Sequence, residues 1–164
     1  MRISVVITTF NRPDYLKLSL QSAIDQLYEA FEIIIIDDNS DVEAIKQLQD
    51  IELNNNVEIV FCDVSKGAGS ARNIGIQKAK GKWVLFADAD DYFCDEFLAL
   101  TNRFINNKED IIYFGTHSLT STGETSYRHL RYMKLVENYL TDHKFENELK
   151  FCFLAPWGKM IKRK

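Results

Sequence analysis

Three carboxylates within four residues, Asp88-Ala89-Asp90-Asp91, follow the apolar and aromatic stretch Lys82-Trp83-Val84-Leu85-Phe86-Ala87. That stretch reads as an interior strand, so the acids stand where it emerges. Alternate residues of an extended segment face one side, which lets Asp88 and Asp90 address a single ligand. Like charges this close repel and raise one another's pKa. A divalent cation relieves the conflict, and hard ions such as Mg2+ or Mn2+ prefer carboxylate oxygen. Such an ion typically also holds substrate phosphates, so the pattern points to a phosphorylated substrate. Taken alone the cluster has a plainer reading, as a solvated turn with Asp91 or Asp95 capping the next helix.

Three more polar motifs share this setting. Thr8-Thr9-Phe10-Asn11-Arg12, Asp37-Asp38-Asn39-Ser40 and Lys66-Gly67-Ala68-Gly69-Ser70-Ala71-Arg72-Asn73 each follow a β-branched or apolar run. In an open parallel sheet, ligands bind beyond the carboxyl ends of the strands. Four motifs after four strands therefore gather along one edge. Phe10 suits the flank of a nucleobase, and Asp38 suits the imide N–H of uracil or ribose hydroxyls. The Gly67/Gly69 loop lets backbone approach a ligand. Arg72, on the first turn of the next helix, offers its planar fork to base or phosphate. Asp88 then reaches ribose or metal, and Asp90 ligates a metal bridging a diphosphate. The structural alternatives are packing for Phe10, a helix N-cap for Asp38-Asn39-Ser40 and a surface ion pair for Arg72.

The elements that must position these motifs alternate. Ile3–Ile7 reads as a strand, and Pro13 opens a helix with Leu16, Leu20, Ala23, Ile24 and Leu27 on one face. Phe31–Ile36, apolar throughout, reads as a strand covered on both faces, and a short polar helix follows over 42–51. Val57–Phe61 is a third strand, 66–69 a loop, 70–80 a helix and 82–87 the fourth strand. Phe97, Leu98, Phe104 and Ile105 mark a further helix, and 111–115 a fifth strand. Strands alternating with helices imply a mostly parallel α/β sheet with right-handed crossovers. After Gly115 the pattern loosens into a Ser/Thr/Gly-rich turn, with a weak helix signal at Val136–Leu140. The reading is one structural domain: a regular α/β core over 1–115, then the start of a second region over 116–164.

Composition bounds the rest. With 164 residues, 46% apolar and 27% charged, the chain can bury a core. A net charge of −4 gives no reason to expect nucleic acid. Four of the 20 basic residues fall in Lys159-Met160-Ile161-Lys162-Arg163-Lys164, which reads as a solvated end or as a contact for an anionic membrane surface. Cys62, Cys94 and Cys152 are widely spaced, as are His117, His129 and His143, so neither a disulfide framework nor a zinc site is indicated. No signal peptide or spanning apolar run is evident. The expectation is a cytoplasmic protein, at the inner face of the membrane if the basic end makes that contact. Oligomeric state is not legible.

The segments Val5-Val6-Ile7-Thr8-Thr9-Phe10-Asn11-Arg12, Ile35-Ile36-Asp37-Asp38-Asn39-Ser40, Gly69-Ser70-Ala71-Arg72-Asn73-Ile74-Gly75 and Phe86-Ala87-Asp88-Ala89-Asp90-Asp91 resemble, in order and spacing, the consecutive blocks of glycosyltransferase family 2. Ala155-Pro156-Trp157-Gly158-Lys159 is similar to a later, less specific block. The resemblance implies a GT-A fold, Rossmann-like, with an incomplete acceptor-side region. It implies inverting transfer of a sugar from a nucleotide diphosphate donor, a UDP-sugar in the first instance, to a glycan or lipid-linked acceptor. It implies Mn2+ or Mg2+ on Asp90 and Asp88, and donor contacts at Thr9, Phe10, Asn11, Arg12, Asp38, Gly69, Arg72, Asp88 and Ala89. Inversion needs a base to deprotonate the acceptor. In the family that base usually lies beyond the Trp-containing block, so it is expected beyond Lys164. Asp91, Asp95, Asp142, Glu146 and Glu148 are upstream carboxylates that nothing in the sequence aims at an acceptor, and the catalytic residue is left unassigned.

Other classes fit less well. No glycine follows the first strand, against a dinucleotide-binding oxidoreductase, and no G-x-x-x-x-G-K-[ST] string occurs. A phosphoacceptor receiver domain would place its acidic pair after the first strand. A nucleotidyltransferase would want a Gly/Arg/Lys-rich loop there, where only Arg12 stands. The remaining alternative is a non-catalytic module that binds a nucleotide sugar.

Overall fold

The computed structural model describes residues 2–26, 31–51, 53, 55–106, 108–120, 122–127, 129–142 and 156–163. They fall into two units, Met1–Ile112 with Met160–Lys164, and Tyr113–Lys159. Leu27, expected on the first helix face, lies outside the described residues.

The first unit is built on β1 (Ile3–Thr9), β2 (Phe31–Asp37), β3 (Val57–Phe61) and β4 (Trp83–Asp88), which are mutually parallel in the order β3-β2-β1-β4. Every residue of β1 and β2 is buried, as expected of central strands sandwiched between layers. Helices α1 (Pro13–Ile24), α2 (Val42–Gln49) and α3 (Ala68–Lys78) connect them. Pro13 sits at the start of α1, and Leu16, Leu20 and Ala23 are its buried stripe. Asp41 caps α2, its carboxylate accepting from Ala44 N at 2.9 Å. The helix N-cap, the alternative reading of Asp38-Asn39-Ser40, falls instead to the next residue, which leaves those side chains for other partners.

Helix α3 begins at Ala68, two residues earlier than expected, so Gly69 belongs to its first turn and not to a loop. Beyond it come α4 (Phe97–Thr101), a 3-10 turn (Asn102–Phe104) and β5 (Ile111–Tyr113). Neither Asp91 nor Asp95 caps α4. That position falls to Glu96, in a left-handed conformation with no side-chain cap bond.

The largest departure is the basic end. Lys159–Lys162 forms a strand, here β6, that pairs antiparallel with β4 and stands between β4 and β5 in the six-stranded sheet. Met160 is fully buried, and Lys162 Nζ lies 5.5 Å from the centroid of the Trp83 ring. Sequence patterning missed the strand because the long basic stems cover apolar surface while their charges stay at the rim. The second unit contains a short hairpin (Ser118–Leu119 with Thr125–Ser126) and α5 (Leu130–Thr141), a full helix where only 136–140 gave a signal. Tyr132 and Trp157 meet edge-on there at 5.3 Å.

One core cluster joins Val6, Ile34, Ile36, Ala71, Ala79, Val84 and Phe86. It needs α3 to lie close on the sheet, which Gly75 permits: a Cβ there would stand 2.3 Å from Val6 Cγ1. Valine is stiff at χ1 and Val6 is fully buried, so it has nowhere to go. Gly75→Ala is therefore expected to destabilise the protein by about 1–2 kcal/mol, the overpacking cost less the helix-propensity gain. Urea unfolding measures this, and a stability gain would contradict the packing argument. At the opposite, amino-terminal end of the strands, the buried Glu32 carboxylate accepts from Ser4 Oγ (2.5 Å), Lys80 N (2.7 Å) and Gly81 N (3.1 Å). It fixes the turn from which β4 starts.

Candidate functional site

Register decides what meets at the carboxyl edge. Thr9 stands beside Asp37, Thr8 beside Asp88, and Asp37 beside Phe61. The four polar motifs therefore leave the sheet at one level, and hydrogen bonds join them.

The first motif is tied to the second. Asp38 N donates to Thr9 O at 3.0 Å, Asn11 N to Ser40 Oγ at 2.8 Å, and Asp41 N to Asn11 Oδ1 at 2.8 Å. Ser40 Oγ in turn donates to the fully buried Asp37 carboxylate, which also accepts from Ser40 N at 2.9 Å. Asn11 and Asn39 both adopt left-handed backbone, a conformation asparagine tolerates better than most residues. Phe10, at the apex of the turn, is 50% exposed. It is not a core residue, so packing does not explain an aromatic ring there.

The second motif is tied to the third. Asp38, 6% exposed, accepts from Lys66 N (3.0 Å) with Oδ1, and from Ser65 Oγ (2.7 Å) and Gly67 N (2.8 Å) with Oδ2. Burial pushes its carboxyl up, but these bonds together outweigh that and leave it below its ordinary range. Three of its roughly four acceptor directions are used. Gly67 has φ +84°, which favours glycine, and a Cβ at Gly67 or Gly69 would meet nothing within 4 Å. No protein packing demands a glycine at 69, and both backbones border open space. Cys62, beside this loop, is pushed up by burial and by the charges of Asp38, Asp37 and Asp63, so its thiol stays protonated.

The fourth motif is tied to the first and the third. Arg72 Nη2 donates to Asp88 Oδ1 at 2.5 Å, and Arg12 Nη1 to Asp90 Oδ2 at 3.1 Å. Thr8 Oγ1 also reaches Asp88 Oδ1, at 3.4 Å. Arg72 is therefore an ion-pair partner, but an inward one: its side chain is 20% exposed, against 56% for Arg12. Asp91 turns inward and accepts from Asp88 N at 2.8 Å. Burial, with the charges of Asp88 and Asp90, pushes its carboxyl up to about 6. Ala89 is 5% exposed between the two aspartates. Two buried polar atoms here have no hydrogen-bond partner among the described residues, Thr9 Oγ1 and Arg72 Nε.

Thr9, Phe10, Asn11, Arg12, Asp38, Gly69, Arg72, Asp88, Ala89 and Asp90 thus share one edge. Ser65 and Tyr15 were not singled out from the sequence. Ser65 has no signal beyond its neighbourhood, whereas Tyr15 lies three residues after Arg12 in a helix, and its ring centroid stands 5.7 Å from the guanidinium carbon. Among the described residues no three His, Cys, Asp or Glu side chains are grouped to hold a metal by themselves. Of the upstream carboxylates, Asp91 is turned inward and Asp95 is exposed. Glu146 and Glu148, with His143, Cys152, Ala155 and Lys164, lie outside the described residues. Among the described residues no helix is long and apolar enough to cross a membrane.

Comparison with solved structures gives the class. The crystal structure of S. aureus TarS 1–349 matches 99% of this chain and 47% of its own, with TM-score 0.69 and 21% identity. The complex of that protein with UDP-GlcNAc matches 74% of this chain and 36% of its own, at 0.66 and 26% identity. The fold is the GT-A glycosyltransferase fold. The family model "Glycosyl transferase family 2" matches residues 4–164, and the chain belongs to that family. An uncharacterized glycosyltransferase of Haemophilus influenzae is 29% identical over 117 residues, 71% of this chain and 47% of its own length. The UDP-Glc:alpha-D-GlcNAc-diphosphoundecaprenol beta-1,3-glucosyltransferase WfaP of Escherichia coli is 36% identical over 97 residues, 56% of this chain and 36% of its own length. The chain thus spans less than half of these relatives.

Proposed function

We propose that this chain carries the donor-binding part of an inverting, cation-dependent glycosyltransferase that takes a UDP-sugar and serves a glycan or lipid-linked acceptor. Residues 1–115 form the donor side and 116–164 the start of the acceptor side. The single observation that carries the reading is the joining of all four post-strand motifs through Arg12–Asp90, Arg72–Asp88 and Asp38 with the 65–67 loop. TarS, in complex with UDP-GlcNAc, and WfaP, named for a UDP-Glc donor and a diphosphoundecaprenol-linked acceptor, support the donor and acceptor classes.

The residues present fit Mg2+ or Mn2+. Asp88 and Asp90 each keep acceptor capacity beyond their arginine partner, and two carboxylates with no third protein ligand among the described residues suit an ion completed by substrate phosphates and water. When bound, such an ion offsets negative charge on a departing diphosphate. The chain's own residues do the rest. Phe10 flanks the base, Asp38 offers its remaining acceptor direction to an imide N–H or ribose hydroxyl, and Arg72 and Arg12 reach phosphate oxygens. Gly67 and Gly69 leave room for the ligand to approach backbone. Thr9 Oγ1 and Arg72 Nε, buried without a partner among the described residues, are the polar atoms a ligand would satisfy.

The test is a thermal-shift panel of nucleoside diphosphates with and without Mn2+. UDP with Mn2+ is expected to raise the melting temperature, and UDP at 100 times its Kd adds about 2.7 kcal/mol of stability. No shift with any nucleotide overturns the proposal. Donor hydrolysis under the same conditions separates an enzyme from a module that only binds.

A further inference from the structure

The two outer carboxylates of the acidic motif each carry a guanidinium supplied by a different element. Asp90 is paired with Arg12 from the turn after β1, and Asp88 with Arg72 from α3. Protein groups alone thus balance the two charges that would hold a cation. The two arginines are not equivalent. Arg72 is mostly buried and fixed at 2.5 Å, whereas Arg12 is more than half exposed, 3.1 Å from Asp90, with the Tyr15 ring beneath it. Arg12 can therefore exchange partners at little cost, since an exposed pair contributes at most about 1 kcal/mol.

That placement has a consequence for the order of binding. A bare divalent cation approaching the remaining acceptor positions of Asp90 meets a like-charged guanidinium on the same carboxylate, and that repulsion is relieved only if the guanidinium passes to another anion. A nucleoside diphosphate brings its own oxygens, which the planar fork of arginine accepts well. We propose that Arg12 couples cation binding to diphosphate binding: it serves as the counter-ion of Asp90 and passes to the diphosphate when the cation takes that carboxylate. Cation and diphosphate then enter as a pair. Tyr15 keeps the guanidinium beside the edge in either arrangement, as a cation–π platform. The inference rests on the donor reading above and deepens it.

The experiment is calorimetric titration of Mn2+, alone and at saturating UDP, into the wild-type chain and into Arg12→Ala and Arg12→Lys. In the wild type, Mn2+ is expected to bind at least tenfold tighter with UDP than without. In Arg12→Ala, Mn2+ alone should bind up to about fivefold tighter, the equivalent of ~1 kcal/mol. UDP with Mn2+ should bind about tenfold more weakly, since a charge-assisted phosphate contact is lost. The ratio between the two Mn2+ affinities therefore shrinks, and it must shrink equally when UDP is titrated with and without Mn2+. Arg12→Lys, which keeps the charge and loses the fork, should fall between. Circular dichroism melts check that both variants fold, as the exposure of Arg12 implies.

If Arg12→Ala binds Mn2+ alone no better than wild type, or keeps the wild-type ratio, the coupling role is wrong while the donor reading stands. If the wild type binds neither UDP nor the UDP–Mn2+ pair, the donor reading itself fails and takes this inference with it.

Discussion

Asp90→Ala is expected to weaken UDP binding in the presence of Mn2+ by at least about tenfold, the equivalent of ~1.4 kcal/mol and the factor by which the cation strengthens it in the wild type, without weakening UDP binding in EDTA. The size follows from what the residue offers. Asp90 is the most exposed carboxylate of its motif, 51% accessible at the side chain, and its protein partner is an arginine on a neighbouring turn. Its loss removes a hard, charged oxygen from a site with no third protein ligand among the described residues. The fold should not notice, because an exposed ion pair contributes at most about 1 kcal/mol. Unliganded melting temperatures of variant and wild type should therefore agree to within a few degrees. Asp90→Asn sharpens the experiment, since it keeps the shape and an acceptor for Arg12 but not the charge. Titration calorimetry with and without EDTA reads both variants. Retention of the Mn2+ effect in either would remove Asp90 from the proposed cation site.

Asp38 acts on stability as well as on ligand. Its carboxylate satisfies Ser65 Oγ, Lys66 N and Gly67 N from a nearly buried position. Asp38→Ala removes all three acceptor contacts at once and strands two backbone donors. A cost of about 1–3 kcal/mol is expected: hydrogen bonds to a charged group contribute about 1.5–3 kcal/mol, and the donors sit on exposed residues that water reaches in part. The pH dependence has a definite sign. The folded carboxyl lies below its ordinary value, so its contribution is fully present above about pH 4. It is lost as pH falls through the folded pKa. Wild type and Asp38→Ala should thus differ most near neutrality and converge in acid, as urea unfolding at a series of pH values would record. A constant difference across the whole range would mean that the hydrogen bonds do not depend on the charge.

The two experiments separate the layers of this edge. Asp37, Ser40 and Asp38 hold the turns after β1, β2 and β3 in place through buried and part-buried hydrogen bonds. Arg12, Phe10 and Asp90 stand outside that framework and are exposed. Substitutions in the inner layer are expected to cost stability and binding together, and those in the outer layer to cost binding alone. The division matches the general pattern in which groups that meet ligand are carried on turns fixed by a rigid scaffold.

Much of this was written in the chain itself. The β-branched runs at Ile3–Ile7 and Phe31–Ile36, the alternation of strand with helix, and a polar motif after each of four strands were enough to place the motifs at one sheet edge, because parallel topology sends every carboxyl end the same way. The family was legible for the same reason, as its blocks are those motifs. What the residues by themselves did not disclose was who pairs with whom. Asp38, which reads as a ligand group or as part of a helix N-cap, is largely spent on the 65–67 loop; Arg72 reaches Asp88, and Arg12 reaches Asp90. Those contacts span 16 to 78 positions of sequence, and only strand register brings them within bonding distance. The strand at Lys159–Lys162 escaped notice because its single buried residue, Met160, is framed by lysines whose stems do the covering. Local chemistry fixed the elements and the ingredients of the edge. Which carboxylate is free, which is used and which is shared was decided by packing at a distance.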